Sequence, residues 1–313
     1  MSLSAQTVKE KMMTKKLVEC IPNFSEGRDR EKLRLLEEAV TAVSGVTLLD
    51  VQADGNHNRS VFTFIGNPEG VLEAAFQLAK KAMEIIDLTC HQGEHPRMGA
   101  ADVIPFVPIM NMDIKECVEL SRCLGQRMWE ELRIPSFLYE ASATRPERQN
   151  LATVRKGEFE GMPEKLLLEN WAPDFGERKI HPTAGITAIG ARMPLIAFNV
   201  NLGTDDVAIA KAIAKAVRGS SGGFKHCKAL GMMLEDRNIV QVSMNMVNYE
   251  GTPLYRVFEA IRFEAERWGV PIIGSEIVGL TPAKALVDAA EYYLKIENFD
   301  CHKQVLEYHL VAE

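Results

Sequence analysis

The chain has 313 residues, enough for two domains or one large duplicated unit at roughly 150 residues per domain. Hydrophobic residues make up 46% and charged residues 25%, with 22 Gly and 14 Pro, a globular composition that excludes collagenous, mucin-like and disordered chains. Thirty-six Lys and Arg against 43 Asp and Glu leave a net charge of −7, which offers no basic stripe for a phosphate backbone and argues against nucleic acid as a partner.

Residues 1–16 carry lysines but no apolar core, so they read as a frayed or short helical tail, neither signal peptide nor membrane span. No run of roughly 18 apolar residues occurs further on, and no membrane association is expected. The six cysteines contain no CxxC and are too sparse for a disulfide scaffold, which suits a reducing cytoplasm.

From Leu17 the text reads strand (LVECIP), loop (NFSEGRD) and helix, with Leu33, Leu36, Val40 and Val43 at helical spacing. GVTLLDVQAD is a second strand, DGNHN a turn and RSVFTFIG a third strand. Asn67 caps a helix with Pro68 at its first position and an apolar stripe from Val71 to Ile86. A polar segment, HQGEHPRMGAAD, then leads into VIPFVPI, whose Pro105 and Pro108 suggest an edge strand or a bulge. The order so far is βαββαβ.

A helix over about 113–132 and the strand SFLYEAS follow, then a polar stretch without assigned elements (143–166) and a segment, NWAPDFGERKIHPTAGITAIGAR, read as the crossing between two halves. From Pro194 the pattern restarts as strand, loop, helix, two strands, a helix introduced by Thr252 and Pro253, and the closing strand VPIIGSEIVGL. The expected fold is therefore α+β, with a tail at 1–16 and two duplicated βαββαβ halves at 17–191 and 192–313. Strands such as FTFI, apolar on both faces, ask for cover on both sides, supplied by helices on one face and the partner sheet on the other.

The densest polar cluster is His91, Gln92, Glu94, His95, Arg97 and Asp102, in a loop where Gly93 and Gly99 permit close ligand approach. The bland alternative is a solvated connector. His91 and His95 have HxxxH spacing, but Gly93 and Pro96 deny them the helical face that a zinc pair needs, so no metal is expected. Asp50, Gln52 and Asp54 alternate along a strand and share a face, while Asn58 and Arg59 open the next strand as candidate anion contacts. HPTAGITAIGAR lacks both GxxxxGK[ST] and GxGxxG, and no GxSxG supports a hydrolase.

LVECIPNFSEGRD, HNRSVFTFIG, HQGEHPRMGAADVIPFVPI, NWAPDFG and GARMPLIAFNVNL together resemble the formiminotransferase family, found as a domain of formiminotransferase-cyclodeaminases and as free-standing bacterial glutamate formimidoyltransferases. The resemblance covers residue 17 to the C-terminus, with no cyclodeaminase half. It implies transfer of a formimino group from N-formimino-L-glutamate to tetrahydrofolate in histidine degradation, by two ferredoxin-like subdomains whose sheets face each other with helices outside, often in a cytoplasmic homodimer. It places the catalytic histidine on His95 and an active-site acid on Gln52, where glutamine cannot carry the charge; Asp54 is the substitute. It further implies substrate contacts from Asp50, Asn58, Arg59, Gly93, Glu94 and Arg97, the two arginines gripping carboxylates of formiminoglutamate or of the folate tail, and folate contacts from Gly176, His181, Thr183, Gly185 and Pro282. A non-catalytic folate-binding protein and a transferase for another donor, such as N-formylglutamate, are the competing readings.

Overall fold

The computed structural model describes residues 16–306; the expected N-terminal tail lies outside them apart from Lys16. The chain divides into two compact units, Met1–Arg192 and Met193–Glu313, each built on its own sheet and its own apolar core.

The first unit runs β1 (Leu17–Cys20), β2 (Asn23–Phe24), α1 (Arg30–Thr41), β3 (Val46–Asp54), β4 (Arg59–Gly66), α2 (Pro68–Ile85) and β5 (Ala101–Met110). Local signals fix these bounds. Asp29 accepts from the backbone of Glu31 and Lys32 at the start of α1, and Asn67 accepts from Gly70 N at 2.7 Å with Pro68 behind it at the start of α2. One face of α1 buries Leu33, Leu36 and Val40, and one face of α2 buries Val71, Ala75, Phe76 and Ala79.

The sheet has seven strands. β1 and β2 are two pieces of one interrupted line: both pair antiparallel with β4 on one side and with β5 on the other. β3 lies outside β4, and a bulge between Leu48 and Asp50 resets its register. Beyond β5 come β7 (Thr187–Ala191) and then β6 (Ser136–Glu140), both parallel to their neighbours.

This placement corrects two expectations. β5 is an interior strand, not an edge. Its Pro105 costs no ladder bond because it stands opposite the gap between β1 and β2, and Pro108 sits at a register irregularity, which is the bulge half of the expectation. Residues 187–191 are no crossing but the fully buried strand β7, inserted between β5 and β6.

α1, α2 and α3 (Ile114–Arg127) pack on one face of this sheet. Asp113 and Glu116 close a reciprocal capping box at the start of α3, and a π-helical turn, Met128–Leu132, ends it. At the β5–β7–β6 end the opposite face is covered by α4 (Leu151–Arg155) and α5 (Glu158–Lys165), two helices inside the stretch read as featureless. Val154, Met162, Leu166 and Trp171 pack there against Val103, Phe137, Tyr139, Ile186 and Ala188. The NWAPDFG segment serves this cover. Fully buried Arg148 binds Asp174 and the carbonyl oxygens of Asn170 and Ala172, while Asp174 accepts from Leu138 N at 2.7 Å.

The second unit runs β8 (Ile196–Leu202), α6 (Val207–Val217), β9 (Cys227–Leu234), β10 (Ile239–Met246), α7 (Leu254–Arg267), β11 (Ile272–Val278), α8 (Ala283–Leu294) and α9 (Cys301–Gln304). Its four strands stand in the order β11–β8–β10–β9, all antiparallel. Numbered within the unit this is 4-1-3-2, the same order that β5, β1, β4 and β3 take in the first unit. The sequence reading did not assign α8. Among the described residues no helix is long and apolar enough to cross a membrane.

Candidate functional site

The site is set by where the second layer of the first unit stops. On β4, alternation sends Phe62 and Phe64 to the helical core, so Arg59, Val61 and Thr63 point to the other face. The β3 bulge keeps Val51 packed against the core and puts Asp50 opposite Thr63 and Gln52 opposite Val61. The shared face is direct: Gln52 Nε2 donates to Asp50 Oδ2 at 2.7 Å. Within the first unit, α4 and α5 pack at the other end of the sheet, against Val103, Phe137 and Tyr139.

The 54–58 turn and the 91–97 loop meet above that face. Asp54 Oδ1 accepts from Asn56 N (2.8 Å) and His57 N (3.0 Å), and its Oδ2 pairs with His57 Nδ1 at 2.7 Å. Those contacts hold the Asp54 carboxyl below its ordinary range, the His57 backbone bond contributing most. Asp54 is thus engaged by the backbone of its own turn and by His57.

Asn58, left-handed at φ 49°, accepts from Gly27 N at 2.9 Å and donates to Gln92 O at 3.0 Å. His91 Nε2 bonds Asn58 O at 3.0 Å. Gly93 lies so close to this turn that a methyl group there would sit 2.3 Å from His57 O, and Glu94 N reaches Asn56 O at 3.4 Å. Asn58, Gly93 and the Glu94 backbone therefore build the loop; the Glu94 side chain is exposed.

Arg97 is 7% exposed, and its guanidinium is fully engaged, with Glu160 at 2.6 and 2.8 Å, Glu158 at 3.2 Å, His91 Nδ1 at 3.2 Å and His91 O at 3.4 Å. It joins the loop to α5 and has no donors left for a substrate carboxylate.

His95 lies where these elements converge. Its Nε2 is buried and has no hydrogen-bond partner, an arrangement that native interiors rarely tolerate without a use. Burial first, and then the positive charges of Arg155 and Arg59, push its pKa down to about 3, so the imidazole is neutral at pH 7. Arg59 shares the same setting: its Nε is buried without a partner, and burial and Arg155 both lower its proton affinity. Arg155, the last residue of α4, is tied to Asp102 through Nε (2.8 Å) and Nη2 (2.5 Å). Asp102 is 1% exposed and its other oxygen accepts from Met98 N at 2.8 Å. A cavity of about 500 Å³ opens beside Pro96 and Arg155, also lined by Ala152, Thr153, Lys156 and Glu158.

The residues expected to meet folate fall in two places. His181 and Gly185 form a tight bridge, each donating to the other's carbonyl, and His181 Nδ1 accepts from Ala184 N at 3.0 Å. Thr183 O holds Leu88 N at 2.9 Å, and Gly185, at φ 70°, packs against Met98 O. This hairpin thus buttresses the 97–100 loop beneath His95. Gly176 sits against Trp129 and Pro135. Trp129, Arg133, Glu177, Lys179, Ile180, His181 and Pro182 line a cavity of about 400 Å³. Pro282 precedes α8 in the second unit.

Among the described residues no group of three or more His, Cys, Asp or Glu side chains could hold a metal ion. Residues 17–192 match the N-terminal subdomain of the formiminotransferase domain, and residues 197–311 match the formiminotransferase domain proper. The chain belongs to the formiminotransferase family. It is 65% identical over 297 residues to the glutamate formimidoyltransferase of Streptococcus pyogenes serotype M1, spanning 95% of this chain and 99% of that protein. The glutamate formimidoyltransferase of Thermoplasma acidophilum is 50% identical over 286 residues, 91% of this chain and 94% of that one. The formimidoyltransferase-cyclodeaminase of Gallus gallus is 47% identical over 288 residues, and the chain spans 53% of its length.

On this formiminotransferase fold the loop residues singled out around His95 do come together, and Arg155, which the sequence reading did not single out, bears electrostatically on the same histidine. The signal for Arg155 was Asn150, which caps a short helix whose Leu151 and Val154 face inward.

Proposed function

We propose that this chain transfers the formimino group of N-formimino-L-glutamate to tetrahydrofolate, with His95 moving the proton that the reaction requires. Family membership supports the reaction. The observation that carries the role of His95 is its unpartnered, buried Nε2 beside two guanidiniums.

Attack by the folate secondary amine on the formimino carbon forms a tetrahedral intermediate. The attacking nitrogen must lose a proton and the departing glutamate nitrogen must gain one. A neutral imidazole is ready to accept the first proton and, once protonated, to give it to the leaving nitrogen. Its depressed affinity in the free protein makes it a weak base, so the bound anionic donor must supply the charge that lets it act. Gln52 then needs no negative charge of its own; it orients Asp50 through their hydrogen bond. Arg59 is the donor contact that the site retains, and the 176–185 segment with Pro282 remains our assignment for folate. Holding both substrates contributes proximity, worth up to about 7–11 kcal/mol in well-aligned reactions.

We read both units as copies of one ferredoxin-like motif, supported by their common 4-1-3-2 strand order, with β6, β7 and the connector helices added to the first. A cytoplasmic homodimer completes the proposal. All six cysteines are free, as a reducing compartment would keep them. Phe263 on α7 and Leu286, Tyr292 and Leu294 on α8 are exposed apolar surface for self-association.

The test is turnover of purified protein with tetrahydrofolate and either N-formimino- or N-formylglutamate, followed by folate absorbance, with Gln52→Asp alongside. Turnover with the formimino donor at a rate that Gln52→Asp changes less than about tenfold supports the proposal. Folate binding without product from either donor would establish the binding-protein reading instead.

A further inference from the structure

We propose that Arg155 and Arg59 form a clamp for one carboxylate of the donor beside His95, with Asp102 positioning Arg155 for that contact. This inference rests on the proposed transfer reaction and identifies the second guanidinium that sequence reasoning assigned to Arg97.

Three observations carry it. Arg97 is consumed by Glu158, Glu160 and His91, whereas Arg59 keeps a buried Nε without a partner. Arg155 meets Asp102 through Nε and Nη2 at a single carboxylate oxygen, Oδ2, and lines the cavity beside Pro96. Burial and Arg155 disfavour the half-buried Arg59 cation and Asp54 and Asp102 offset that, while the free edge of a guanidinium pair is suited to a planar carboxylate. Asp102 is spoken for by Arg155 and Met98 N, so it does not fill that role for Arg59 by hydrogen bonding.

The consequence reaches His95. The charged or titratable groups acting on it are Arg155 from α4, Arg59 from β4, His57 from the 54–58 turn and His91 from its own loop, and all four disfavour the imidazolium. A carboxylate held by the two arginines adds negative charge to that of Asp102 and Asp54, so binding of the donor raises the proton affinity of His95 when the leaving nitrogen must be protonated.

The decisive experiment follows the His95 imidazole by NMR as a function of pH, with glutarate as a dicarboxylate probe that cannot react. We expect glutarate to raise the His95 midpoint by at least about one pH unit in the wild type. In Arg155→Gln the midpoint without glutarate should rise and the glutarate effect should disappear. KM for the donor in that variant should increase at least about tenfold, with a smaller change in kcat. Arg155→Lys keeps the charge without the fork and should retain part of the glutarate shift, which guards against loss of folding in the glutamine variant. A wild-type midpoint indifferent to saturating glutarate, or an Arg155→Gln protein that is folded and keeps the full glutarate shift, would overturn the clamp. Because the probe is unreactive, failure of formimino transfer itself would appear separately, as absent turnover with the glutarate shift intact.

Discussion

His95 combines a buried, unpartnered Nε2 with a strongly lowered proton affinity. Removing the imidazole with His95→Ala should lower kcat about 10²- to 10⁴-fold while the thermal midpoint at pH 7 holds, because proton transfer is lost and no hydrogen bond to Nε2 is broken. The same residue leaves a mark on stability. Its folded pKa of about 3 lies below the ordinary value near 6.5, so between those values the unfolded chain binds a proton that the folded one refuses. Stability is therefore unaffected above about pH 6.5 and falls as the solution is acidified toward pH 3. His95→Gln should lose less thermal stability than the wild type between pH 6.5 and 4, and equal slopes in parallel melts would contradict the assignment. Arg97 belongs to a different category, since its bonds are internal. Arg97→Met should destabilise the fold by about 1–3 kcal/mol in urea titrations through loss of the Glu160 and His91 contacts.

At the level of elements, loops rather than helices make the site, and each loop is fixed by a neighbour. The 91–97 loop is pressed onto the 54–58 turn at Gly93, braced by the 181–185 hairpin through Gly185 and Met98, and tied to α5 by Arg97. Gly185 combines a positive φ of 70° with a neighbour at 2.1 Å from any added methyl, so Gly185→Ala must move the loop below His95. We expect a loss of about 1–3 kcal/mol together with reduced kcat, measured by denaturation and turnover on the same preparation. The helices that position these loops were legible because their caps are local: Asp29, Asn67 and Asp113 are contacts within three residues of chain. α4 and α5 escaped because they are five and eight residues long and their apolar residues, Val154 and Met162, only make sense against Val103 and Phe137 across the sheet.

For the whole molecule the governing fact is that each unit has its own sheet and its own apolar packing. Phe62 belongs to the main core of the first unit and Ile261 to that of the second. Phe62→Ala should cost about 3–5 kcal/mol and Ile261→Ala about 2–5 kcal/mol, and the double variant should equal their sum within about 0.5 kcal/mol in chemical denaturation. A large coupling would mean that the cores do not act independently. The sequence by itself determined the α+β class, the starts of the longer helices α1, α2 and α3, and the polar loop that carries His95. These rest on periodicity, capping and turn chemistry, which operate over a few residues of chain. Tertiary structure alone decided that β7 enters the first sheet, that β5 is interior, that Asp54 is engaged by its own turn, that Arg97 is tied to α5, and that the charge of Arg155 bears on His95. Each of those depends on which distant side chain reaches a given polar group first, and pairings such as Arg155 with Asp102, 53 residues apart, leave no local pattern to read.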